Sequence, residues 1–559
     1  MPEKVSVYAS SAPSTYLYQD AFNTPVERMN CYLENSQDFF ASKISYKLDF
    51  KGESLNVQTA CSSSLTAVYL ACQSLNNYQC DMAIAGGANI LLPQEKGYLF
   101  QKGLMYAEDG VCRPFDEKAS GMVESNAVGV VLLKRLNEAV KDGDNILAVI
   151  RGGAMNNDGN DKLGYTAPSI TGQKDVIQKA MEDANVMPTD IGYIETHGTG
   201  TILGDLIEIE ALKDNFKGVK TDIYLGSVKG NIGHTIRASG ISGLIKTVLV
   251  LNNHVIPPMA NHIKANPDLE LEKSCFKINT KPVVWNNRGH SRIAGISSFG
   301  FGGTNVHLIV EEYCNAQERR TENEPEILLI SARDEAEMLA IKNSILMVLK
   351  KQPEINIHDL AYTMNIGRRQ FKTRWGCFFY TYQEVYDALS GRGAIIMEIK
   401  NRSDRLCIDM LNLWLNGESI DQVRKFYLKK GGNRINLPTY PLRYLTYVHS
   451  AYQVENTDNQ KSVPKINQVN NKNISITITE KEIEEVIRRE FVKGSSERDF
   501  QWKIDFYEMG MDSMDYTEII LECESIFEIQ IPWKEAFNNN TPRALKDLCM
   551  KLISEKNNQ

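Results

Sequence analysis

Over residues 1–312 apolar positions cluster in short, strand-length runs separated by helical patterns and glycine turns. The runs at 83–92 and 127–133 carry no charge and predict buried strands. Strands alternating with helices predict a layered α/β domain. Residues 313–451 predict a smaller α/β unit. Within it, 326–330 reads as a strand, and a helix starts at Ser331 with Asp334 completing a capping box. Residues 374–380 read as another strand, and Thr381 with Glu384 caps a second helix the same way. Residues 452–475, rich in Asn, Gln, Lys and Ser, predict a flexible linker. From 476 to 555 the pattern is helical. Thr479 and Glu482 form a third capping box, and Ile483, Val486, Ile487 and Phe491 share one face. A further helix begins near Asp512, with Tyr516, Ile519, Ile520, Cys523, Ile526 and Phe527 as its apolar stripe.

Composition narrows the class. The chain has 559 residues, 42% hydrophobic and 24% charged, which fits several core-forming domains. A net charge of −8 does not suggest a nucleic-acid partner. No apolar run reaches membrane-span length, and the first residues lack a signal-peptide layout, so a cytoplasmic protein is expected. The 11 cysteines are scattered without a C-x-x-C pair, which indicates neither a disulfide framework nor a structural metal site.

One cysteine stands apart. Val57-Gln58-Thr59-Ala60-Cys61-Ser62-Ser63-Ser64-Leu65 passes from a strand-like run through small residues into a helical pattern. A helix N-terminus favours a thiolate, the nucleophile that thioester chemistry needs. The alternative is a small buried hydrophobe. Two later strings each place a histidine in a strand-to-turn setting: Ile194-Glu195-Thr196-His197-Gly198-Thr199-Gly200-Thr201, and Ser227-Val228-Lys229-Gly230-Asn231-Ile232-Gly233-His234. Together they are consistent with one assembled site.

With Ala85-Gly86-Gly87-Ala88, Cys112-Arg113-Pro114-Phe115-Asp116, Asn156-Asn157-Asp158-Gly159, Tyr165-Thr166-Ala167-Pro168 and Ser297-Ser298-Phe299-Gly300-Phe301-Gly302-Gly303-Thr304-Asn305, these strings resemble the β-ketoacyl synthase (ketosynthase) domains of modular polyketide synthases. The resemblance covers residues 1–312 and implies a thiolase-like α/β/α/β/α core, incomplete at the N-terminus by about 100 residues of the family's domain. It implies that Cys61 takes an acyl group and that neutral His197 and His234, their tautomers fixed through their other nitrogens, bind the carbonyl of a malonyl-type extender. Backbone N–H groups of Cys61 and Phe301 would form a second oxyanion hole, the Phe301 ring would gate the pocket, and Lys229 would support the histidines by charge and hydrogen bonding. The other six histidines read as structural or surface residues.

The strings Leu413-Trp414-Leu415-Asn416-Gly417 and Asn436-Leu437-Pro438-Thr439-Tyr440-Pro441-Leu442 look like the adapter that follows ketosynthases. Met509-Gly510-Met511-Asp512-Ser513-Met514 looks like the attachment site of an acyl carrier protein, a four-helix bundle bearing 4′-phosphopantetheine on Ser513. In isolation an Asp-Ser before a helix is an ordinary N-cap. No acyltransferase segment or G-x-S-x-G elbow is visible between the ketosynthase-like region and the linker, so the resemblance is to synthases served by a free-standing acyltransferase. Further implied partners are an upstream carrier domain, a phosphopantetheinyl transferase, neighbouring synthase polypeptides and a second copy in a homodimer. The family pattern is broken at Glu124-Ser125-Asn126-Ala127, where glycines are usual, at Leu206, usually proline, and at Arg237, usually a small residue. Two functions therefore stand side by side: an elongating module, or a non-condensing relay or inactive remnant with a working carrier.

Overall fold

The computed structural model describes residues 4–14, 24–92, 97–102, 104–162, 164–287, 289–314, 324–392, 402–442, 479–494, 500–506, 509, 511, 513–532, 535–536 and 540–557. The first half runs through β1 (Val5–Ser11), α1 (Pro25–Asn35), α2 (Phe40–Leu48), β2 (Ser54–Asn56), α3 (Ser63–Asn76), β3 (Met82–Asn89) and β4 (Ala127–Lys134). Its sheet has the order β2-β1-β3-β4, three parallel strands and then an antiparallel one. After the short helix α4 (Leu136–Lys141) come β5 (Ala148–Asn157), α5 (Ile170–Ala184), β6 (Ile191–Glu195), α6 (Ile202–Asn215), β7 (Ile223–Gly226), α7 (Lys229–Ile232) and α8 (Ser239–Asn253). The strands β8 (Val255–Ile256), β9 (Phe276–Lys277), β10 (Val283–Val284), β11 (Ile293–Phe299) and β12 (Thr304–Glu312) complete this half. Its main sheet has the order β5-β12-β11-β6-β7-β9.

Small residues let the layers close. Helices α3 and α8 pack between the sheets, where Leu65, Val68, Ile241 and Leu244 meet Ala83 and Ala85 on one side and Ile296 and Leu308 on the other. Helices α5 and α6 cover the far face of the second sheet through Val176, Ile177, Ile209 and Leu212. Helix α2 covers β1, with Ala41 against Val7 and Ala9. This is the expected five-layer arrangement. One expectation is corrected. Residues 127–133 do form a strand, but only its inner face is covered: Val131 and Leu133 pack on the central layer, while Val128, Val130 and Leu132 are 64%, 57% and 59% exposed.

A separate compact unit comprises Leu136–Ile146 and Cys314–Val448. Its β13 (Glu326–Ala332) and β14 (Thr373–Phe379) pair antiparallel, with α9 (Glu335–Lys351), α10 (Ile357–Gly367), α11 (Tyr382–Ser390), α12 (Arg402–Leu415) and α13 (Asp421–Lys430) around them. Trp414 is fully buried and donates to Gln370 (2.9 Å). Residues 136–146 join this unit through an Arg434–Asp144 ion pair and an Asn145–Asn436 hydrogen bond of 3.1 Å. The box at Thr381 and Glu384 forms as expected. The one at Ser331 does not. Ser331 stays in β13, and the Asp334 carboxylate itself caps α9 by accepting from Glu337 N–H (3.0 Å).

The C-terminal helices are α14 (Glu480–Gly494), α15 (Ser513–Phe527) and α16 (Pro542–Asn557). Ile483, Ile487 and Phe491 pack against Tyr516, Ile519, Ile520 and Cys523. Ile526, expected in that stripe, is 42% exposed. Only half of the Thr479 box forms, the Glu482 carboxylate accepting from the Thr479 N–H (2.6 Å). The linker at 452–475 lies outside the described residues, as does part of the stretch expected to hold a fourth helix. Among the described residues no helix is long and apolar enough to cross a membrane.

Candidate active site

Cys61 lies in a 3-10 turn, Ala60–Ser62, between β2 and α3. Ala60 adopts φ 52°, the left-handed conformation that non-glycine residues rarely take. Hydroxyl caps hold this turn: Ser63 Oγ donates to Ala60 O (2.6 Å), Ser62 Oγ to Thr59 O (2.8 Å) and Ser298 Oγ to Cys61 O (3.0 Å). Gly300 permits the close approach of the 300–303 turn, since a Cβ there would sit 2.3 Å from Thr59 O. That approach brings the Phe301 N–H onto the Cys61 thiol. Burial pushes the thiol above its ordinary value, and Phe301 N–H, Lys229 and Arg237 pull the other way. The net direction is upward, so the resting group is a thiol. This corrects the thiolate expected from helix-end placement, because desolvation of the anion outweighs the donors.

His197 follows β6. The Glu208 carboxylate on α6 accepts from the backbone N–H of His197 (2.7 Å) and Gly198 (2.8 Å). One turn earlier Asp205 accepts from Phe115 N–H (2.6 Å) and Gly200 N–H (3.1 Å). His234 follows α7 and is held by its N–H on Val123 O (2.6 Å) and by Ser125 N–H on its carbonyl (3.0 Å). So the unusual Glu124-Ser125 segment forms a β-bridge with the histidine. The two imidazoles lie 5.5 Å apart, nearly perpendicular at 84°. Cys61 Sγ and a ring nitrogen of each histidine lie within 4.8 Å of one another.

Burial and the nearby Lys229 cation hold both imidazoles well below their ordinary pKa, so both are neutral. Among the described residues no group fixes their tautomers: His197 Nδ1 and His234 Nδ1 are buried without a hydrogen-bond partner there. Lys229 is buried, and desolvation holds its ammonium below the ordinary value while the charges of Glu195 and Glu208 push the other way. Among the described residues its ammonium donates to neither ring. Glu195 in turn accepts from Val228 N–H (2.6 Å) and pairs with Lys246 (2.9 Å). His307 lies apart, buried in β12 with Nδ1 3.0 Å from Ser297 Oγ. The structural reading of the histidines holds for His254, which pairs with Glu312 (2.7 Å), and for His358, which pairs with Glu326 (2.7 Å).

Sequence reasoning missed Glu195, Asp205 and Glu208. The signal was present: acids in otherwise apolar segments, two of them one helical turn apart on α6. Burial drives Asp205 up to about 8 and Glu208 up to about 7.

A cavity of about 590 Å³ opens onto this triangle. Cys61, His197, His234 and Phe301 line it, and Thr517 and Leu521 of α15 contribute to it. Gln101 Nε2 donates to Glu518 of the same helix (2.9 Å). Ser513 is the first residue of that helix, one turn before Thr517. A helix N-terminus one turn from the cavity suits an anionic phosphodiester arm on Ser513. The Phe301 ring is 47% exposed. A thiol with two imidazoles is also a zinc donor set, and this is the one such cluster among the described residues. Metal there would occupy the nucleophile.

Comparison with known proteins decides between these chemistries. The family descriptions "Beta-ketoacyl synthase, N-terminal domain" and "Beta-ketoacyl synthase, C-terminal domain" match residues 2–139 and 147–262. "Ketoacyl-synthetase C-terminal extension" matches 265–374, and "Phosphopantetheine attachment site" matches 487–549. Ketosynthase twelve of the bacillaene polyketide synthase from Bacillus amyloliquefaciens superposes with a TM-score of 0.70 at 34% identity, covering 79% of each chain. The chain belongs to the β-ketoacyl synthase family. This ketosynthase is also 42% identical, over 384 residues, to a phenolphthiocerol/phthiocerol polyketide synthase polypeptide of Mycobacterium tuberculosis, covering 65% of the chain and 26% of that protein. It is 34% identical to polyketide synthase PksL of Bacillus subtilis over 479 residues, 76% of the chain and 10% of that protein. The chain thus spans about a quarter or less of these two curated relatives. Its matched phosphopantetheine attachment region contains Ser513.

Proposed function

We propose that this ketosynthase elongates a polyketide by decarboxylative Claisen condensation, with the chain carried on Ser513. The observation that carries this reading is the triangle of Cys61, His197 and His234 within 4.8 Å, with the Phe301 N–H on the thiol. Cys61 attacks an acyl thioester, forms a new thioester and releases the donor thiol. His197 and His234, both neutral, donate to the carbonyl oxygen of a malonyl-type thioester. The extender loses carbon dioxide and becomes an enolate on that oxygen. Its α-carbon attacks the acyl-Cys61 carbonyl, whose oxygen is held by the N–H groups of Cys61 and Phe301. The Cys61 sulfur departs and the product is a β-ketoacyl thioester. Lys229 acts on this site by charge, keeping both rings unprotonated. The phosphopantetheine arm on Ser513 supplies the thiol that bears the growing chain.

The domain plan proposed is ketosynthase 1–312, adapter 313–451, linker 452–475 and carrier 476–555. The site suits work in the cytoplasm with an upstream carrier domain, neighbouring synthase polypeptides, a phosphopantetheinyl transferase and a free-standing acyltransferase, and as a homodimer. The test is to incubate the chain with a simple acyl thioester and record the mass of the Cys61 peptide, with Cys61→Ala as control. Decarboxylation of a malonyl carrier follows. Acylation confined to Cys61 together with decarboxylation supports an elongating module. Acylation without decarboxylation leaves an acyl relay, and no acylation overturns the ketosynthase reading.

A further inference from the structure

The turn after His234 carries two residues that the condensation does not use. Ile236 adopts φ 36°, an unfavourable conformation for a β-branched residue, and Arg237 follows it. The turn is fixed from below. Ser10 Oγ donates to Arg237 O (3.2 Å), and a Cβ on Gly87 of β3 would lie 2.7 Å from that same oxygen. Both side chains line the cavity with Cys61 and His234. Much of the remaining wall is apolar, including Leu104, Met122, Ala167, Pro168 and Leu203.

Arg237 Nε is buried and has no hydrogen-bond partner. Among the described residues the guanidinium makes no ion pair. Of the acids that line the cavity, Glu108 is exposed, Asp158 accepts from Asn305 (2.6 Å) and lies 3.8 Å from Lys162, and Glu208 accepts from the His197 loop. A guanidinium offers five donors in a fixed fork, and leaving the buried Nε–H unsatisfied beside apolar walls is costly. Its field reaches the nucleophile, where it favours the thiolate. A cation placed in this way calls for an oxygen acceptor in the cavity.

That acceptor is not the carboxylate of the extender. Pairing a guanidinium with the group that must leave as neutral carbon dioxide stabilises the ground state and slows its loss. It therefore belongs to the acyl group held on Cys61. Resting on the condensing function above, we propose that Arg237 determines acyl specificity: its guanidinium binds an oxygen substituent of the acyl chain, so the pocket selects hydroxylated, keto or carboxylated acyl groups over plain alkyl ones.

The test uses the full chain and three four-carbon N-acetylcysteamine thioesters: butanoyl, 3-hydroxybutanoyl and succinyl. Cys61 loading is followed by intact mass, with each oxygenated donor competing against butanoyl. At least one oxygenated donor should load about tenfold or more faster than butanoyl. In Arg237→Met that ratio should fall to about one, and Arg237→Lys should keep a preference for succinyl if the acceptor is anionic. Preference for 3-hydroxybutanoyl alone identifies a neutral acceptor. Equal loading of all three by the unmutated chain overturns the proposal, a result that needs no variant to fold. An unchanged ratio in Arg237→Met overturns it as well. Loading of none of the three overturns the condensing reading itself, which separates the two failures.

Discussion

The two halves of the ketosynthase core share a strand pattern but not its consequences. In one, β2, β1 and β3 run parallel and β4 antiparallel; in the other, β7, β6 and β11 run parallel and β12 antiparallel. The antiparallel strands differ in their neighbours. β12 is flanked by β5 and covered by α5, so Ile309 on its outer face is fully buried. Among the described residues no strand pairs with the outer edge of β4, and Val130 on its outer face stays 57% exposed. The lesson is that an apolar strand is buried by what lies beside it, and hydrophobicity alone does not say which partner is present. The halves also divide the candidate site. Cys61 comes from the first, and His197 and His234 from the second.

That division predicts a double dissociation, the largest effect expected. Cys61→Ala should abolish acylation but leave malonyl decarboxylation measurable. His197→Ala or His234→Ala should cut decarboxylation by about 10²–10³-fold while Cys61 still loads. Loss of both activities in every variant would show that the halves act only as a unit.

The structural half of the comparison is sharpened by placing one charge on each outer face. Ile309→Lys buries an unpaired ammonium and should cost about 3 kcal/mol or more. Val130→Lys should cost less than about 0.5 kcal/mol. Denaturant midpoints of the two variants check this, and equal losses would mean that β4 is covered in solution.

A smaller effect is expected at Glu208. Glu208→Gln leaves one acceptor oxygen for two backbone N–H groups, so the His197 loop loosens. Decarboxylation should fall about tenfold with Cys61 loading retained. The last prediction concerns pH. The Cys61 thiol is raised, so its alkylation by iodoacetamide should keep climbing beyond pH about 8.5, the ordinary thiol value. A plateau below that pH would reveal a resting thiolate. In Glu208→Gln, which lacks the carboxyl that titrates near 7, decarboxylation should show no fall as pH drops through about 6.5, because both histidines are held well below their ordinary pKa.

The residues proposed to do the chemistry were legible because reactive types sit in distinctive local strings. Cys61 between small residues and each histidine before a glycine turn are local signals, and the structure brings all three together. The carboxylates behind them were not singled out. Glu195, Asp205 and Glu208 act on backbone N–H groups of loops that other strands deliver, and a carboxylate's partner cannot be read from its own neighbours. Ser331 shows the same limit in the smaller unit. Its capping potential is real, but strand pairing claims it, and Asp334 takes over three residues later.

By itself the sequence determined the alternation of strands and helices, the family, the cysteine and two histidines proposed as the site, and the serine that opens the last-but-one helix. Those properties follow from short-range periodicity and side-chain chemistry. Tertiary structure alone decided that burial raises the Cys61 thiol, that the histidine Nδ1 atoms have no partner among the described residues, that β4 is covered on one face, and that Arg237 lines the cavity with its Nε unpartnered among those residues. Each of these depends on desolvation or on a neighbour distant in sequence, and both are set only when the layers close.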